Sequence, residues 1–369
     1  MSSSASSDNL SALPDTEAMM SEAVELSRRA LPHPNPRVGC LVVSPNGEVV
    51  GRGFHLRPGA AHAEPVALES AGAKARGATL VVTLEPHNHH GRTPPCTETI
   101  IDAGIARVVI GALDLNPLVS GRGVARLEDA GIAVMVGVGE SEVIGADAGY
   151  FHYLRTGRAR FVAKLASTLD GQIAALDGSS QWITGESARR DVHRLRSDFD
   201  AIVIGARTLR TDDPLLSVRL AGYSGHQPRP VVLAGRQDLP DRAALYANDP
   251  VVFASNVTKV PTSIRDVIRF DGELVDPNLV VESLTERGMR NVLIEGGGQI
   301  VRAFLDTGSL DAAIFYFGGK IAGGQGRGLF SGAFETLASA VNVRIDSVIT
   351  IDNDIRVDVS FVGPHLEVA

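Results

Sequence analysis

The sequence has few cysteines that could form disulfides, and it lacks a long apolar segment that could span a membrane. Only two cysteines, Cys40 and Cys96, occur among 369 residues, which excludes a disulfide-stapled fold and fits a reducing cytoplasm. No run of about 18 apolar residues occurs, so we expect no membrane-spanning helix. The formal net charge is −8, whereas a polynucleotide backbone requires a basic surface. We therefore expect no nucleic-acid or membrane partner, although a few arginines can still hold one phosphate group.

Length and composition predict two domains. The chain exceeds the typical domain size of about 100–200 residues, and 44% of its residues are hydrophobic, which is enough for two cores. We expect a disordered, serine-rich tail at residues 1–15 that lacks the pattern of a signal peptide. One domain is expected at 16–157 and a second at 158–369, with the junction at Thr156-Gly157-Arg158.

The most informative motif pairs His62-Ala63-Glu64 with the later Pro94-Pro95-Cys96. Zinc deaminases use a His-x-Glu at one helix start and a Pro-Cys at another to hold a metal beside a carboxylate. Zinc lowers the pKa of bound water from about 16 to about 7, which makes hydrolysis of an amidine carbon feasible near neutral pH. Glu64 lies two residues from His62, so we expect it to stay off the metal and carry the proton.

Proline residues indicate where the two site helices begin. Pro65 fits the first turn of a helix that starts near Ala63. Pro94 and Pro95 predict a second helix start, which places Cys96 at the positive end of the helix dipole. We expect this position to stabilise the thiolate form that binds metal.

Several further motifs accompany this pair. In the first half they are Pro34-Asn35-Pro36-Arg37-Val38-Gly39-Cys40, Gly53-Phe54-His55, Leu84-Glu85-Pro86 and Asn116-Pro117. In the second half they are Lys164-Leu165-Ala166-Ser167, Leu169-Asp170-Gly171, Ser180-Gln181-Trp182-Ile183-Thr184 and Thr211-Asp212-Asp213-Pro214. With them the chain resembles the bifunctional deaminase/reductase family of riboflavin biosynthesis over nearly everything after residue 16. The resemblance implies a cytidine-deaminase-like α/β/α sandwich joined to a dihydrofolate-reductase-like, mixed-sheet domain.

One position departs from that family. Where the family has a cysteine after Glu-Pro, this chain has His87, at the family's spacing from Cys96. His87 can itself bind zinc with His62 and Cys96, because imidazole is a good zinc ligand. Alternatively, the site is weakened or empty in a deaminase that has lost activity. In a third interpretation His89 or His90 substitutes, or another metal such as iron is preferred.

The resemblance also implies which residues contact the substrates and the NADPH cofactor. In the deaminase half the substrate contacts are Asn35 and His55. In the reductase half NADPH contacts Ala166, Trp182, Thr208, Asp212 and the turn made of Gly297, Gly298, Gln299, Ile300, Val301, Arg302 and Ala303. The phosphorylated substrate contacts Ser180, Arg196, Leu215, Arg219 and Glu295. Taken without the family, the two arginines are interpreted as surface charges, and Trp182 as part of a hydrophobic core.

Two residues of the reductase half are interpreted from their setting. Lys164 points inward on a predicted strand, so we expect it to contact substrate or to form a salt bridge. Asp170 follows the end of that strand, and we expect it to stabilise a turn rather than to perform chemistry.

A run of glycines marks a strand-to-helix turn in the second half. Gly296-Gly297-Gly298 follows the apolar strand Val292-Leu293-Ile294 and precedes a predicted helix at 299–305. Such glycines let backbone N–H groups approach a phosphate, although a tight structural turn favours the same residues. A Gly-x-Gly-x-x-Gly fingerprint with a later acidic residue does not occur, so a Rossmann site is not indicated.

Hydrophobic patterns predict alternating helices and strands. In the first domain we expect helices at 15–31, 63–71, 97–103, 121–130 and 141–155, and strands at 38–43, 49–53, 78–84, 106–110 and 132–136. This alternation predicts a mostly parallel sheet with helices on both faces. In the second domain we expect strands at 161–166, 201–204, 231–233, 251–253, 291–294 and 312–317. An antiparallel pair at 343–351 and 354–362 then makes that sheet mixed.

Together these features predict an enzyme with two activities. By resemblance, the first half uses zinc to hydrolyse the 2-amino group of 2,5-diamino-6-ribosylamino-4(3H)-pyrimidinone 5′-phosphate. The second half then uses NADPH to reduce the ribosyl group to ribityl, and the reductase domain forms a homodimer. Three alternatives stay open: a monofunctional reductase with an inactive, structural deaminase domain, a nucleic-acid base deaminase, and a paralogue acting on a related pyrimidine.

Overall fold

The chain folds into two compact units. A computed structural model describes residues 15–30, 34–89, 94–117, 119–324, 327–330, 332 and 334–361. The first unit ends at Arg155 and the second begins at Thr156. The serine-rich tail expected at 1–15 lies outside the described residues except for its last position. Among the helices described, none is both long enough and apolar enough to span a bilayer.

The first unit is a five-stranded sheet with helices on both faces. Its described helices are α1 (Thr16–Ser27), α2 (Ala63–Ala71), α3 (Cys96–Asp102), α4 (Arg122–Asp129), α5 (Glu140–Ala146) and α6 (Ala148–Thr156). Its strands are β1 (Gly39–Val43), β2 (Val49–Phe54), β3 (Thr79–Leu84), β4 (Arg107–Ala112) and β5 (Ala133–Val136), in the sheet order β2-β1-β3-β4-β5. Each of these strands overlaps a predicted one.

The expectation of a mostly parallel sheet holds for four of the five strands, and β1 is the exception. Strand β1 is antiparallel to both β2 and β3, whereas β3, β4 and β5 are parallel. The tight turn between Ser44 and Glu48 reverses the chain after β1. After β2 the chain crosses over through α2 and enters β3 in the same direction as β2. Strand β3 is therefore antiparallel to β1.

Alternate residues of the central strands face two separate hydrophobic layers. Leu80 and Val108 pack with α2, α3 and α4, whereas Val81 and Val109 pack with α1, α5 and α6. This arrangement is the α/β/α sandwich that the resemblance implies.

The single helix expected at 141–155 is broken into α5 and α6. Asp147 interrupts it with a non-helical backbone (φ −129°, ψ 40°). Its carboxylate accepts the backbone N–H of Arg37 at 2.7 Å. A tertiary hydrogen bond to a residue 110 positions away therefore overrides the local helical pattern.

The second unit contains a nine-stranded mixed sheet. Its described helices are α7 (Glu186–Arg196), α8 (Ala206–Asp212), α9 (Pro277–Glu286) and α10 (Gly298–Asp306). The strands of the large sheet are β6 (Arg160–Thr168), β8 (Ala201–Gly205), β9 (Arg229–Gly235), β10 (Val251–Ser255), β11 (Asp266–Phe270), β12 (Asn291–Ile294), β13 (Ala312–Gly318), β15 (Val343–Ile351) and β16 (Asp354–Phe361). Their order is β11-β10-β9-β8-β12-β6-β13-β16-β15. Two short strands, β7 (Gln172–Ala174) and β14 (Arg327–Gly328), pair separately.

The mixed character of this sheet is confirmed. Strands β6 and β8 to β13 run parallel, and β16 and β15 continue the sheet antiparallel beside β13. Helices α9 and α10 pack on one face, and α7 and α8 on the other. Because β6, β8 and β12 are parallel, their carboxyl ends meet at one edge, where the expected cofactor and substrate residues lie. The sequence analysis did not predict α7, α8, α9, β7, β11 or β14.

Two glycines of β2 let α2 lie directly against the sheet. A Cβ atom on Gly53 would lie 2.2 Å from the Ala63 carbonyl oxygen, and one on Gly51 would lie 2.2 Å from that of Ala67. Both distances are far shorter than a van der Waals contact. Any larger residue must push away the helix that carries Glu64.

We expect the substitution Gly53→Ala to lower the free energy of unfolding by about 1–3 kcal/mol, the usual cost of overpacking. Urea denaturation of the purified chain measures this loss. Gly145→Ala is the matched control, because Gly145 lies in α5 with no heavy atom within 4 Å of the added Cβ. The control should be neutral or slightly stabilising. Equal stability of the two variants would contradict the packing argument.

Candidate active sites

The start of α2 presents two residues of the first site. His62 is the N-cap residue of this helix and makes no side-chain capping hydrogen bond, so its imidazole is available for another partner. Glu64 lies in the first turn and is 3% exposed. Both positions agree with the predicted helix start.

The start of α3 brings the other expected ligands to the same place. Cys96 is the first residue of α3, and the backbone N–H of Thr97 donates to the His87 carbonyl at 3.4 Å. The Thr97 hydroxyl also donates to Asn88 Oδ1 at 2.8 Å. The loop that carries His87 is therefore tied to the first turn of α3.

His62, His87 and Cys96 form one compact donor group. One donor atom from each lies within 4.8 Å of the other two, and His62 Nδ1 is 3.5 Å from Cys96 Sγ. The ring of His89 instead packs edge-on against His87, with 5.2 Å between centroids, and His89 is not part of the group. His90, the other substitute considered, lies outside the described residues.

The protonation states of this group suit a metal cation. Burial, with the neighbouring His87, His55 and His89, lowers the pKa of His62 to about 4. Burial also lowers the pKa of His87. Both imidazoles are therefore neutral near pH 7 and can donate a lone pair. Two neutral imidazoles and one sulfur are a donor set that fits zinc.

In the absence of a cation, burial opposes the expected stabilisation of the Cys96 thiolate by the helix start. Burial and the nearby Glu64 carboxylate raise the pKa of Cys96 well above that of an ordinary thiol. Burial likewise raises the pKa of Glu64, although a hydrogen bond with Cys96 opposes the shift. A bound cation would favour deprotonation of this thiol.

A pocket beside the donor group holds the two expected substrate contacts, Asn35 and His55. His55 Nδ1 is 3.1 Å from the Ala61 carbonyl oxygen, which can only accept a hydrogen bond, so Nδ1 carries the proton. Nε2 is therefore the acceptor for the Asn35 amide, at 3.0 Å. These partners orient the His55 ring toward the pocket.

Asp114 also lines this pocket, and the sequence analysis missed it. It is 5% exposed and accepts a hydrogen bond from the Tyr150 hydroxyl at 3.2 Å. Burial raises the pKa of its carboxyl group. Asp114 lies two residues after β4, at the carboxyl end of a parallel strand. That position could have indicated a site residue, because functional side chains often follow such strand ends.

Glu85 holds the loop that leads to His87. Its buried carboxylate accepts backbone N–H groups at 2.9–3.4 Å from Gly123, Gly121, Val124 and Asp114. Three of these donors surround the start of α4, where the helix dipole favours a negative charge. The Glu-Pro of the motif is therefore a structural anchor for the site.

In the second unit, Glu295 is an ionised carboxylate among basic residues. It pairs with Arg196 through two hydrogen bonds of 2.7 and 3.0 Å, and each side chain is 11% exposed. Burial alone would raise the pKa of Glu295, but Arg196 and then Lys164 and His193 outweigh it and hold the pKa at about 2. The pKa of Lys164 is lowered by burial.

Arg219 belongs to the same cluster. Its backbone N–H donates to His193 Nδ1 at 3.2 Å, and its guanidinium makes one long hydrogen bond of 3.4 Å to Ser217 Oγ. Burial and the nearby Arg196 lower its pKa. Four basic groups thus surround one carboxylate. His193 was not predicted, because its role follows only from the fold.

The expected cofactor residues lie along the carboxyl edge of the sheet. Gly297 is the N-cap residue of α10, and a Cβ on either Gly205 or Gly296 would lie 2.9 Å from Ile300 Cδ1. The starts of α8 and α10 are therefore adjacent. The expected contacts on α8 are Thr208, half-buried, and Asp212, exposed; Ala166 lies on β6 near its end.

The remaining expected contacts lie in loops. Trp182 is 60% exposed, so the alternative of core packing is wrong, and Ser180 and Leu215 are also exposed. No hydrogen bond within the described part of the chain joins Ser180 or Leu215 to Glu295. Asp170 accepts the backbone N–H groups of Ala322 and Gly323, as expected for a residue that stabilises a turn.

Both halves of the chain are similar to known protein families. Residues 14–112 match the family described as the cytidine and deoxycytidylate deaminase zinc-binding region, and residues 160–357 match the RibD C-terminal domain. The riboflavin biosynthesis protein RibD of Aquifex aeolicus is 37% identical over 336 residues, covering 89% of this chain and 93% of that protein. The RibD protein of Synechocystis is 42% identical over 300 residues, covering 79% and 80%.

A solved structure from Thermotoga maritima matches with a TM-score of 0.82 at 35% identity, covering 94% of this chain and 99% of that one. It is described as a diaminohydroxyphosphoribosylaminopyrimidine deaminase/5-amino-6-(5-phosphoribosylamino)uracil reductase. Acinetobacter baumannii RibD matches with a TM-score of 0.81 at 35% identity and the same coverage.

Fold, site and similarity together define a cytidine-deaminase-type domain fused to a pyrimidine reductase domain. The chain belongs to the RibD family of bifunctional riboflavin-biosynthesis enzymes. The family's deaminase half binds zinc and its reductase half uses NADPH.

The depressed pKa of Glu295 predicts an acid-sensitive contribution to stability. The unfolded chain binds this proton near pH 4.5 and the folded chain near pH 2, so the stabilisation is complete above pH 4.5 and is lost as the pH falls toward 2. We expect Glu295→Gln to cost on the order of 3 kcal/mol at neutral pH and progressively less below pH 4.5. Urea unfolding of both proteins across this range measures the difference.

Glu273→Gln serves as the control, since Glu273 pairs with Arg236 on the surface, where its side chain is 74% exposed. An exposed pair contributes below about 1 kcal/mol, so this variant should follow the wild type at every pH. A Glu295→Gln deficit that stays constant down to pH 3 would contradict the assignment.

Proposed function

We propose that this chain catalyses both steps with its own two sites. The first is hydrolytic deamination of 2,5-diamino-6-ribosylamino-4(3H)-pyrimidinone 5′-phosphate. The second is NADPH-dependent reduction of the ribosyl group, giving 5-amino-6-ribitylamino-uracil 5′-phosphate. The observation that carries the first step is the group of His62, His87 and Cys96 beside Glu64. A complete donor set supports an active deaminase over an inactive structural domain.

In the deaminase site each residue has a distinct task. His62, His87 and Cys96 would hold the zinc ion, which would supply hydroxide near neutral pH by lowering the pKa of water. Glu64 is not a ligand; its buried carboxylate accepts the water proton and passes it to the departing amine. Asn35 and His55 orient the pyrimidine ring in the adjoining pocket.

In the reductase site the protein binds and orients the reactants. NADPH supplies the hydride, so the residues contribute position and charge. Glu295, kept ionised by Arg196, accepts hydrogen bonds from sugar hydroxyls. Three of the five N–H groups of Arg196 are already used by Glu295 and the Ser217 carbonyl. The less engaged Arg219 is therefore the better phosphate contact.

We further propose that the enzyme is a homodimer joined through the reductase unit. Strand β15 is an edge of the large sheet, and Val343, Ile345 and Val348 on one face of it are 43%, 63% and 62% exposed. This row continues the sheet face of the buried Phe361 and Val359. An exposed edge with an apolar face favours pairing with a second copy. Two free cysteines and the use of NADPH support a cytoplasmic location.

Substitution of His87 tests the metal assignment. We expect His87→Ala to lose zinc and to release ammonia from the diamino substrate more than about 100-fold more slowly, because even indirect supports of a metal ligand are worth 10–100-fold. His87→Cys should retain both zinc and activity. Elemental analysis and an ammonia assay without NADPH provide the two measurements.

Reductase turnover on the already deaminated substrate is the internal control and should not change in either variant. Unchanged zinc content and ammonia release in His87→Ala would refute the ligand assignment. Reductase turnover in a wild type that releases no ammonia would instead favour the monofunctional alternative.

The dimer is tested with Ile345→Asp/Val348→Asp, which places two charges in the apolar row. Light scattering should show a dimer for the wild type and a monomer for this variant, since burying an unpaired charge is costly. Ile349→Asp is the matched control on the opposite face of the same strand, 45% exposed, and should remain dimeric. A monomeric wild type, or a double variant that stays dimeric, would contradict the proposed interface.

A further inference from the structure

Asp354, the first residue of β16, connects two loops at the edge of the reductase site. It is 5% exposed, and its carboxylate accepts the backbone N–H of Gly185 at 2.7 Å and that of Gly319 at 3.4 Å. Gly185 is the N-cap residue of α7 and ends the segment 180–185, here called the tryptophan loop. Gly319 directly follows β13. A buried carboxylate that serves two loops in this way fixes their separation.

Glycines allow these segments to touch backbone to backbone. A Cβ on Gly318 would lie 2.2 Å from the Ile183 carbonyl oxygen, and one on Gly319 would lie 2.5 Å from the Asn353 carbonyl oxygen. A Cβ on Gly185 would lie 3.2 Å from the Asp354 carboxylate. The tryptophan loop, the end of β13 and the β15–β16 turn therefore form one closely packed unit around Asp354.

Two basic residues add further tethers to the same loop. Lys320 Nζ donates to the Trp182 carbonyl at 2.6 Å. The Arg189 guanidinium lies over the Trp182 ring, 4.4 Å from its centroid, and donates to the Thr184 carbonyl at 2.8 Å. Because the indole is mostly exposed, burial does not hold it. Its position depends on these tethers and on Asp354.

We propose that Asp354 is a positioning residue for the reductase: it holds the tryptophan loop in the shape that receives the nicotinamide cofactor. The inference rests on the proposed function, in which Trp182 contacts NADPH. An exposed aromatic on a pre-ordered backbone binds a ligand without the entropy cost of ordering the loop. Loss of the carboxylate should therefore weaken cofactor binding more than the hydride-transfer step.

Asp354→Asn in the full-length chain tests this role. An amide has a single oxygen and turns its own N–H groups toward one of the two donors, so one loop must lose its acceptor. We expect the KM for NADPH to rise about tenfold, as for loss of one hydrogen bond to a charged group, with a smaller change in kcat. Trp182 is the only tryptophan, so the fluorescence anisotropy of the chain reports the loop directly and should fall.

Two further variants make the result specific. Asp352→Asn removes the same charge from the same turn, where Asp352 is exposed at φ 53°, a conformation that asparagine tolerates. It should match the wild type in anisotropy and in KM. Lys320→Met removes an exposed tether without disturbing the core and should shift both values in the direction of Asp354→Asn. It keeps the test decisive if Asp354→Asn folds poorly.

Wild-type anisotropy and wild-type KM for NADPH in both Asp354→Asn and Lys320→Met would overturn the positioning role alone. A wild type that reduces substrate while NADPH leaves its tryptophan emission unchanged would give a different result. It would overturn the contact between the tryptophan loop and the cofactor, and the positioning role with it.

Discussion

Buried carboxylates that accept backbone N–H groups hold the loops of this protein in place. Glu85 accepts four such groups, three of them around the start of α4, and Asp354 accepts two from separate loops. Asp200 accepts the N–H groups of Arg290 and of Asn291, the first residue of β12, at 2.7 and 2.8 Å. These carboxylates fix loops that a disulfide bond could otherwise hold, since Cys40 and Cys96 form no disulfide. An unsatisfied buried group costs about 1–3 kcal/mol, so these contacts specify the loop conformations strongly.

The two sites use burial in opposite ways. In the deaminase site, desolvation removes protons from His62 and His87 and thereby prepares neutral donors for a cation. In the reductase site, the same desolvation would neutralise Glu295, but the guanidinium of Arg196 keeps it charged. One site is thus arranged to receive positive charge. The other retains an anion among cations, which suits a substrate that offers both hydroxyl and phosphate groups.

Local signals in the sequence predicted the deaminase site well. Proline and the His-x-Glu spacing indicate where helices begin, and a helix start is a short-range property of the chain. Helix α7 gave a weaker signal, because its apolar stripe is limited to Ala188, Val192 and Leu195 among eleven residues that are otherwise polar or charged. Strand β11 was missed for a similar reason, since its residues are half-exposed or exposed.

The roles of residues that contact parts of the chain far away in sequence could not be predicted. Asp147 breaks a helix because of Arg37, and Asp354 supports a loop about 170 positions earlier in the chain. Nothing in the neighbouring sequence distinguishes these aspartates from exposed ones. The strand order, which brings β16 beside β13, determines which acidic residue becomes buried and which backbone groups it meets.

The histidine at position 87 alters the charge balance of the deaminase site. The usual set with two cysteines would neutralise a divalent cation, whereas His62, His87 and Cys96 supply only one thiolate. The buried Glu64 is then the nearest group that can complete the balance. Burial favours its protonated form in the protein alone, but an under-neutralised cation favours the carboxylate. The imidazole of His87 therefore lowers the proton affinities of Glu64 and of the attacking water together, so proton transfer from water to Glu64 is not opposed, and proton release from Glu64 to the amine becomes easier.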